Sequence, residues 1–246
     1  MTTKDTDADI RILFDNGAHY GYSKTRRHPS SERFLYGNKD RHDIFDLVKT
    51  NDSLKRAREF VAKIASEGKE ILFVGGKSEA AERVEAGAKS VGLPYVSGRW
   101  IGGTLTNFSE IKKRTARLET LRNERDLGER DKYTKLERLM MDREIEELER
   151  RFGGIAEMKD LPAALFIVDT RHESTAVREA LELGIPMVGL ANSDCDFGRI
   201  EYPIPANDSV SKSIAYFVGE IAKAYSENRK SHSVDSNEKN SAEKGE

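Results

Sequence analysis

The sequence predicts an α/β protein: a mostly parallel sheet flanked by helices, interrupted by an inserted pair of antiparallel helices. Three observations predict it. Uniformly apolar runs, Ile71-Leu72-Phe73-Val74 and Ala164-Leu165-Phe166-Ile167-Val168, have the pattern of strands covered on both faces. Each is followed by a stretch of helical period, the alternation that builds a parallel sheet with helices on its faces. Between Phe108 and Gly154 the composition changes, and charged residues surround a thin apolar stripe.

Taken in order, His42-Asp43-Ile44-Phe45-Asp46-Leu47 reads as a first strand or strand end. A helix follows with Leu54, Ala57, Val61 and Ile64 on one face, and Gly68 stops it. After the Ile71–Val74 strand, Gly75-Gly76-Lys77 turns the chain, and Ser78 is placed to cap a helix carrying Ala81, Val84, Ala88 and Val91. Pro94-Tyr95-Val96-Ser97 is a further strand. In the charged segment Ile111, Thr115, Leu118 and Leu121 mark one arm. Met141, Ile145, Leu148 and Phe152 mark the other, with the spacing of a coiled-coil seam. Leu127-Gly128-Glu129 supplies the bend. Lys/Arg and Asp/Glu balance across this arm, 12 of each from Glu110 to Arg150. Beyond the Ala164–Val168 strand come a helix near Thr175–Leu183 ended by Gly184, a strand at Pro186–Leu190, and a short edge strand at Tyr202–Pro205, where proline is tolerated. The last helix carries Val210, Ile214, Phe217 and Ile221. The expected organisation is a disordered 1–9, a discontinuous α/β domain over 10–107 and 155–227, a helical hairpin over 108–154, and a disordered, Ser/Asn/Glu/Lys-rich 228–246.

Composition narrows the function classes. A net charge of −2 gives no support to nucleic-acid binding, so any basic face must be local. The single cysteine, Cys195, excludes an intrachain disulfide framework and a Cys-rich zinc site, and it fits a reducing compartment. The N-terminus has no signal-type apolar stretch, and no window approaches the ~20 apolar residues of a membrane helix. A cytoplasmic protein without a membrane partner is expected.

Five constellations carry chemistry. Gly75-Gly76-Lys77-Ser78 follows a buried strand and opens a helix, which offers backbone N–H groups and Lys77 to a phosphate. It is too short for a P-loop and lacks dinucleotide spacing. A tight turn, an RNA phosphate contact and a free nucleotide or sugar phosphate all remain open. Asp169-Thr170-Arg171-His172-Glu173 lies at a strand's C-terminal end, where open α/β sheets place ligands. It reads as a proton-transfer group or as structural capping. Asn192-Ser193-Asp194-Cys195-Asp196 reads as a polar turn or as part of a metal site whose ligand spacing is not a familiar one. From Lys24 to Arg41 there are six Lys/Arg against Glu32 and Asp40. Lys24, Arg26, Arg27, His28 and Arg33, interleaved with Phe34 and Tyr36, suit backbone phosphates and unpaired bases, or form a solvated loop. Arg99-Trp100-Ile101-Gly102-Gly103 sets the only Trp beside an arginine and a glycine pair, as a packed corner or as a surface laid on RNA.

These segments in order resemble a known family. Gly17-Ala18-His19-Tyr20-Gly21, the Arg-rich loop with Pro29, Ile44-Phe45-Asp46-Leu47-Val48-Lys49-Thr50 and Arg99-Trp100-Ile101-Gly102-Gly103-Thr104-Leu105-Thr106-Asn107 are similar to the bacterial small-subunit ribosomal protein S2 family. Leu161–Asp169, Leu183-Gly184-Ile185-Pro186 and Ile204-Pro205-Ala206-Asn207-Asp208 continue the resemblance, which covers roughly residues 10–227. It implies a Rossmann-like, flavodoxin-like sheet domain with a protruding coiled-coil hairpin. It implies a structural, non-enzymatic constituent of the small ribosomal subunit, bound to 16S-type ribosomal RNA and to neighbouring ribosomal proteins, among them the large protein S1. No cofactor, metal or small-molecule substrate is implied. The RNA contacts expected on that basis are Lys24, Arg26, Arg27, His28, Arg33, Lys77, Arg99 and Trp100, with Lys112, Lys113 and Arg114 on the arm. Met141, Ile145 and Leu148 are the expected protein contacts. The alternative is a sugar-phosphate or nucleotide-binding enzyme using Gly75–Ser78 and Asp169–Glu173. Two departures stand out: Tyr22 occupies the place of the family's usual second histidine, and Arg27-His28-Pro29 replaces Trp-Asn-Pro.

Overall fold

The computed structural model describes the backbone of residues 3–128 and 133–242, and the side chains of 7–128 and 133–229. Five parallel strands form the main sheet: β4 (Ile71–Val74), β5 (Tyr95–Val96), β6 (Ala164–Val168), β7 (Met187–Ala191) and β8 (Tyr202–Pro205), in the order β5-β4-β6-β7-β8. Counted from its first strand this is the 2-1-3-4-5 order of flavodoxin-like sheets. Every residue of β4, β6 and β7 is buried, as their unbroken apolar runs require.

The period of two sorts these side chains between two cores. Phe73, Phe166, Val168, Val188 and Leu190 face α2 (Leu47–Ser66), α3 (Ser78–Val91) and α7 (Ser211–Ala242), packing against Val61, Val84 and Phe217 among others. Leu72, Val74, Leu165, Ile167 and Met187 face the opposite way, onto Val177 and Ala180 of α6 (Ser174–Leu183), Trp100, Leu105 and Phe152. Pro203 and Pro205 fall on β8, an edge strand, where a missing N–H interrupts no ladder.

Three features depart from the sequence expectation. Helix α1 (Thr3–Asp15) begins inside 1–9, and Leu13 is fully buried in the main core. Of the expected tail, Asn228 and Arg229 continue α7, while the side chains of 230–246 lie outside the described residues. The His42–Leu47 run gives β3 (His42–Phe45), which belongs to a second, antiparallel sheet with β1 (Tyr20–Ser23) and β2 (Leu35–Lys39), ordered β1-β3-β2. In the charged segment, α4 (Phe108–Asp126) and α5 (Lys135–Phe152) pack through Leu118, Leu121 and Ile145. A capping box between Thr134 and Glu137 starts α5. Arg117–Glu144 and Arg122–Glu149 ion pairs tie the two helices at the surface. Ile111 and Phe152, near the base of the pair, join the core beneath the sheet.

Candidate nucleic-acid interface

Ligands of open α/β sheets bind outside the carboxyl ends of the strands, where the strand order reverses. Here that point lies between β4 and β6, and the chain fills it with its own groups. Gly76 N–H donates to Glu173 Oε1 at 2.9 Å. Lys77 Nζ reaches into the crevice and donates to Asp169 Oδ2 (3.1 Å), Tyr22 Oη (3.1 Å) and the Asp208 carbonyl (3.2 Å). Burial alone would push the Lys77 ammonium down, but Asp208 and Asp169 hold it above its ordinary range. Gly76 is required for this closure: a Cβ there would clash with the Gly98 carbonyl oxygen.

Three expectations fall with this geometry. Lys77 is an internal counter-ion, only 14% exposed, with its ammonium committed to the crevice and not to an outer surface. The Gly75–Ser78 loop offers no open phosphate cradle, and Lys77, not Ser78, is the N-cap residue of α3. Asp169, Cys195 and Asp208 place ligand-type atoms within 4.8 Å of one another, the one such group among the described residues. Its positive charge already comes from Lys77, and burial, reinforced by Asp169 and Asp208, pushes the Cys195 thiol up to about 12. The 192–196 stretch is a polar turn that fastens the basic loop. Asn192 Oδ1 and Ser193 Oγ accept from Tyr22 N–H, and the Ser193 carbonyl accepts from His28 N–H.

The basic loop divides into inward and outward cations. Arg27 turns inward, its Nε donating at 2.9 Å to the buried Asp43, so it ties the loop to β3 and meets the cleft described below only along its inner wall. Arg26 turns outward: it lies over the Tyr22 ring at 4.2 Å and shares Asp194 with Arg171, at 3.1 and 2.9 Å. Both remain about half exposed, at 52% and 54%. Arg199 pairs with Asp196, which lies 3.9 Å from the His28 ring. Arg26, His28, Arg171 and Arg199 thus ring an open cleft of about 470 Å³ beyond the ends of β6 and β7. Sequence reasoning misses Arg171 and Arg199 as members of this cleft, because only the fold brings them to a loop more than a hundred residues upstream. Arg171's position just past a strand's carboxyl end is the available signal. Lys24 and Arg33 are exposed on the same loop, Arg33 over the Phe34 ring at 4.7 Å.

Trp100 requires a correction. It is 7% exposed, and its Nε1 donates to Glu179 at 3.0 Å. Glu179 also accepts from the N–H groups of Gly103, Leu105 and Thr106. The 99–107 segment is therefore a loop wrapped round a buried carboxylate, and Trp100 packs inward while Arg99 stays exposed. On α4, Lys112, Lys113 and Arg114 are exposed, with Lys113 paired to Glu110. Met141, Ile145 and Leu148 face α4 and form an internal seam, so they are not an open protein-contact surface. The exposed apolar side chains of α5 are Leu136, Leu139 and Met140.

A family model described as Ribosomal protein S2 matches residues 13–228. The chain is similar to the small ribosomal subunit protein uS2 of Helicobacter hepaticus, 40% identical over 93% of this chain and 87% of that protein. It is 42% identical to that of a Nitratiruptor species, over 89% and 82%. It is 41% identical to that of Mycobacterium tuberculosis, over 89% and 76%.

Proposed function

Because this chain belongs to the ribosomal protein S2 family, we propose that it docks on ribosomal RNA through Arg26, Arg171 and Arg199 at the cleft rim. Lys24, His28 and Arg33 of the basic loop and Arg99 extend this contact, and Lys112, Lys113 and Arg114 on α4 add a second one. The chain is a structural constituent of the small ribosomal subunit and has ribosomal RNA and ribosomal proteins as partners. It is not an enzyme, and the sugar-phosphate or nucleotide reading has no support. No helix among the described residues is long and apolar enough to cross a membrane.

The observation that carries the function is the family match across residues 13–228. The arginine geometry supports the placement of the RNA contacts. Each rim arginine is held by a carboxylate at one side and open to solvent at the other, which preorganises the guanidinium without covering it. For protein neighbours, Leu136, Leu139 and Met140 replace the expected seam residues as the contact surface. The large protein S1 is proposed among those neighbours on the family resemblance.

Sedimentation of a cell lysate tests the assignment. Co-migration with small subunits, weakened as salt is raised, is the expected result. Recovery only at the top of the gradient would overturn it.

A further inference from the structure

The hairpin formed by β2 and β3 combines a bulge in its first strand with a left-handed turn at its tip. Its register pairs Leu35 with Phe45 and Gly37 with Ile44, so Tyr36 is the extra residue of a β-bulge. Bulges re-aim a side chain out of its strand's regular alternation, and Tyr36 is 83% exposed, the most open large apolar side chain among the described residues. The turn that follows puts both Asp40 (φ 51°) and Arg41 (φ 68°) in the left-handed region. Asparagine and glycine favour that conformation and arginine does not, so Arg41 is held at the tip against its own preference. Lys24 donates its backbone N–H to the Arg41 carbonyl at 3.0 Å, which brings the basic loop beside the tip. Lys24, Lys39, Arg41 and His42 are all exposed, with Asp40 the only acid among them.

We propose that this hairpin reads RNA directly, with Tyr36 stacking on an unpaired base and Lys24, Lys39 and Arg41 taking the flanking phosphates. The proposal rests on the ribosomal reading above and deepens it. An aromatic face among cations is the arrangement that single-stranded RNA selects, because every base has a π-face and every linkage a negative charge. Tyr36 and Arg41 would also suit a protein partner, and it is Lys24 and Lys39 that favour RNA, since lysine is depleted from the centres of protein interfaces.

The test uses small subunits depleted of this protein as the probe, titrated with the full-length chain across a salt series. Tyr36→Ala should weaken binding about five- to a hundredfold, the range for loss of one stacked base, with an unchanged salt slope. Tyr36→Phe should bind like the wild type. Arg41→Gly relieves the left-handed strain, so its melting temperature should not fall. Its affinity should fall all the same, and its log–log salt slope should flatten by about 0.7–0.9 for one phosphate left unneutralised. Unchanged binding by Tyr36→Ala, or a Tyr36→Phe defect as large as the alanine one, overturns the stacking role. Wild-type affinity and slope in Arg41→Gly overturns the phosphate role. Failure of the wild-type chain to bind at all would instead sink the ribosomal reading beneath both.

Discussion

Glu179 accepts hydrogen bonds from four residues of the 99–107 loop, and Glu179→Gln isolates what it does. The substitution preserves shape and removes charge. In the native protein Oε1 accepts from Trp100 Nε1 and Gly103 N–H, and Oε2 from Leu105 and Thr106 N–H. A glutamine keeps one acceptor and turns the other into an NH₂ that points donors at donors. Thr106 is exposed and can turn to water, whereas Leu105 and Trp100 are buried and cannot. One of those two loses its acceptor whichever way the amide turns, so at about 1–3 kcal/mol for a buried donor left unpaired the cost comes to about 1–3 kcal/mol. For a chain of this size that lowers the melting temperature by roughly 2–12 °C. The assay is built in, because Trp100 is the only tryptophan and its emission should shift to the red as its pocket loosens. The pH dependence has a defined sign. Burial pushes the Glu179 carboxyl up, but the donors from Trp100, Leu105, Gly103 and Thr106 outweigh it and hold the group below its ordinary range. Its stabilisation is therefore complete above the unfolded value of about 4.3 and is lost as pH falls through the lowered folded value. The wild type should show an acid limb in stability that the glutamine variant partly lacks. An unchanged melting temperature with unshifted emission would refute the anchoring role.

Lys77→Met leaves Asp169 and Asp208 buried without their cation, at a cost of about 3–5 kcal/mol near neutral pH. Burial and the Asp169 charge push the Asp208 carboxyl up to about 6, so urea unfolding should show a smaller cost at pH 5 than at pH 8, and a pH-independent cost would count against the cluster. The Cys195 thiol, buried and pushed up to about 12, should react with a thiol reagent only after unfolding, and rapid labelling of the native chain would contradict that. Replacing 119–146 with a short Gly/Ser linker removes Leu121 and Ile145 from the small outer cluster and should leave cooperative unfolding intact. Deleting 108–152 also strips Ile111 and Phe152 from the lower core, at about 2–5 kcal/mol each, and equal stability of the two deletions would show that this base is not part of the core.

The parallel sheet is legible because β4, β6 and β7 are buried on both faces, and burial of that kind writes itself as an unbroken apolar run. The second sheet is not. Its strands Tyr-Gly-Tyr-Ser and Leu-Tyr-Gly-Asn-Lys are short, the first only partly buried and the second largely exposed, and their registers shift at bulges, which erases the alternation that marks a one-sided strand. The basic loop is visible as composition, but the direction of each arginine is not. Arg27 turns inward because Asp43 waits on β3, and Arg26 stays outward because Asp194 meets it from another element. Trp100 misleads for the same reason: its partner, Glu179, lies 79 residues away on α6. A motif shows which residues are special, and only the fold shows which side of the surface they occupy.

The formal charge of −2 misleads in the same way. It counts every carboxylate as though each faced solvent. Asp43, Asp169, Glu173, Glu179, Asp194 and Asp208 are buried, and the bonds they accept come from Arg27, Lys77, backbone N–H groups and the inner sides of the rim arginines. Six negative charges are thus engaged inside, against only two cations, Arg27 and Lys77, that are largely withdrawn with them. Setting those eight groups aside turns the formal balance from −2 to +2, and cations gather where the carboxyl ends of β6 and β7 meet the basic loop. A polyanion responds to that local field, because screening at physiological salt limits charge interactions to about 8 Å. The chain's overall charge therefore has little bearing on whether it binds RNA, and the direction in which its carboxylates point has a great deal.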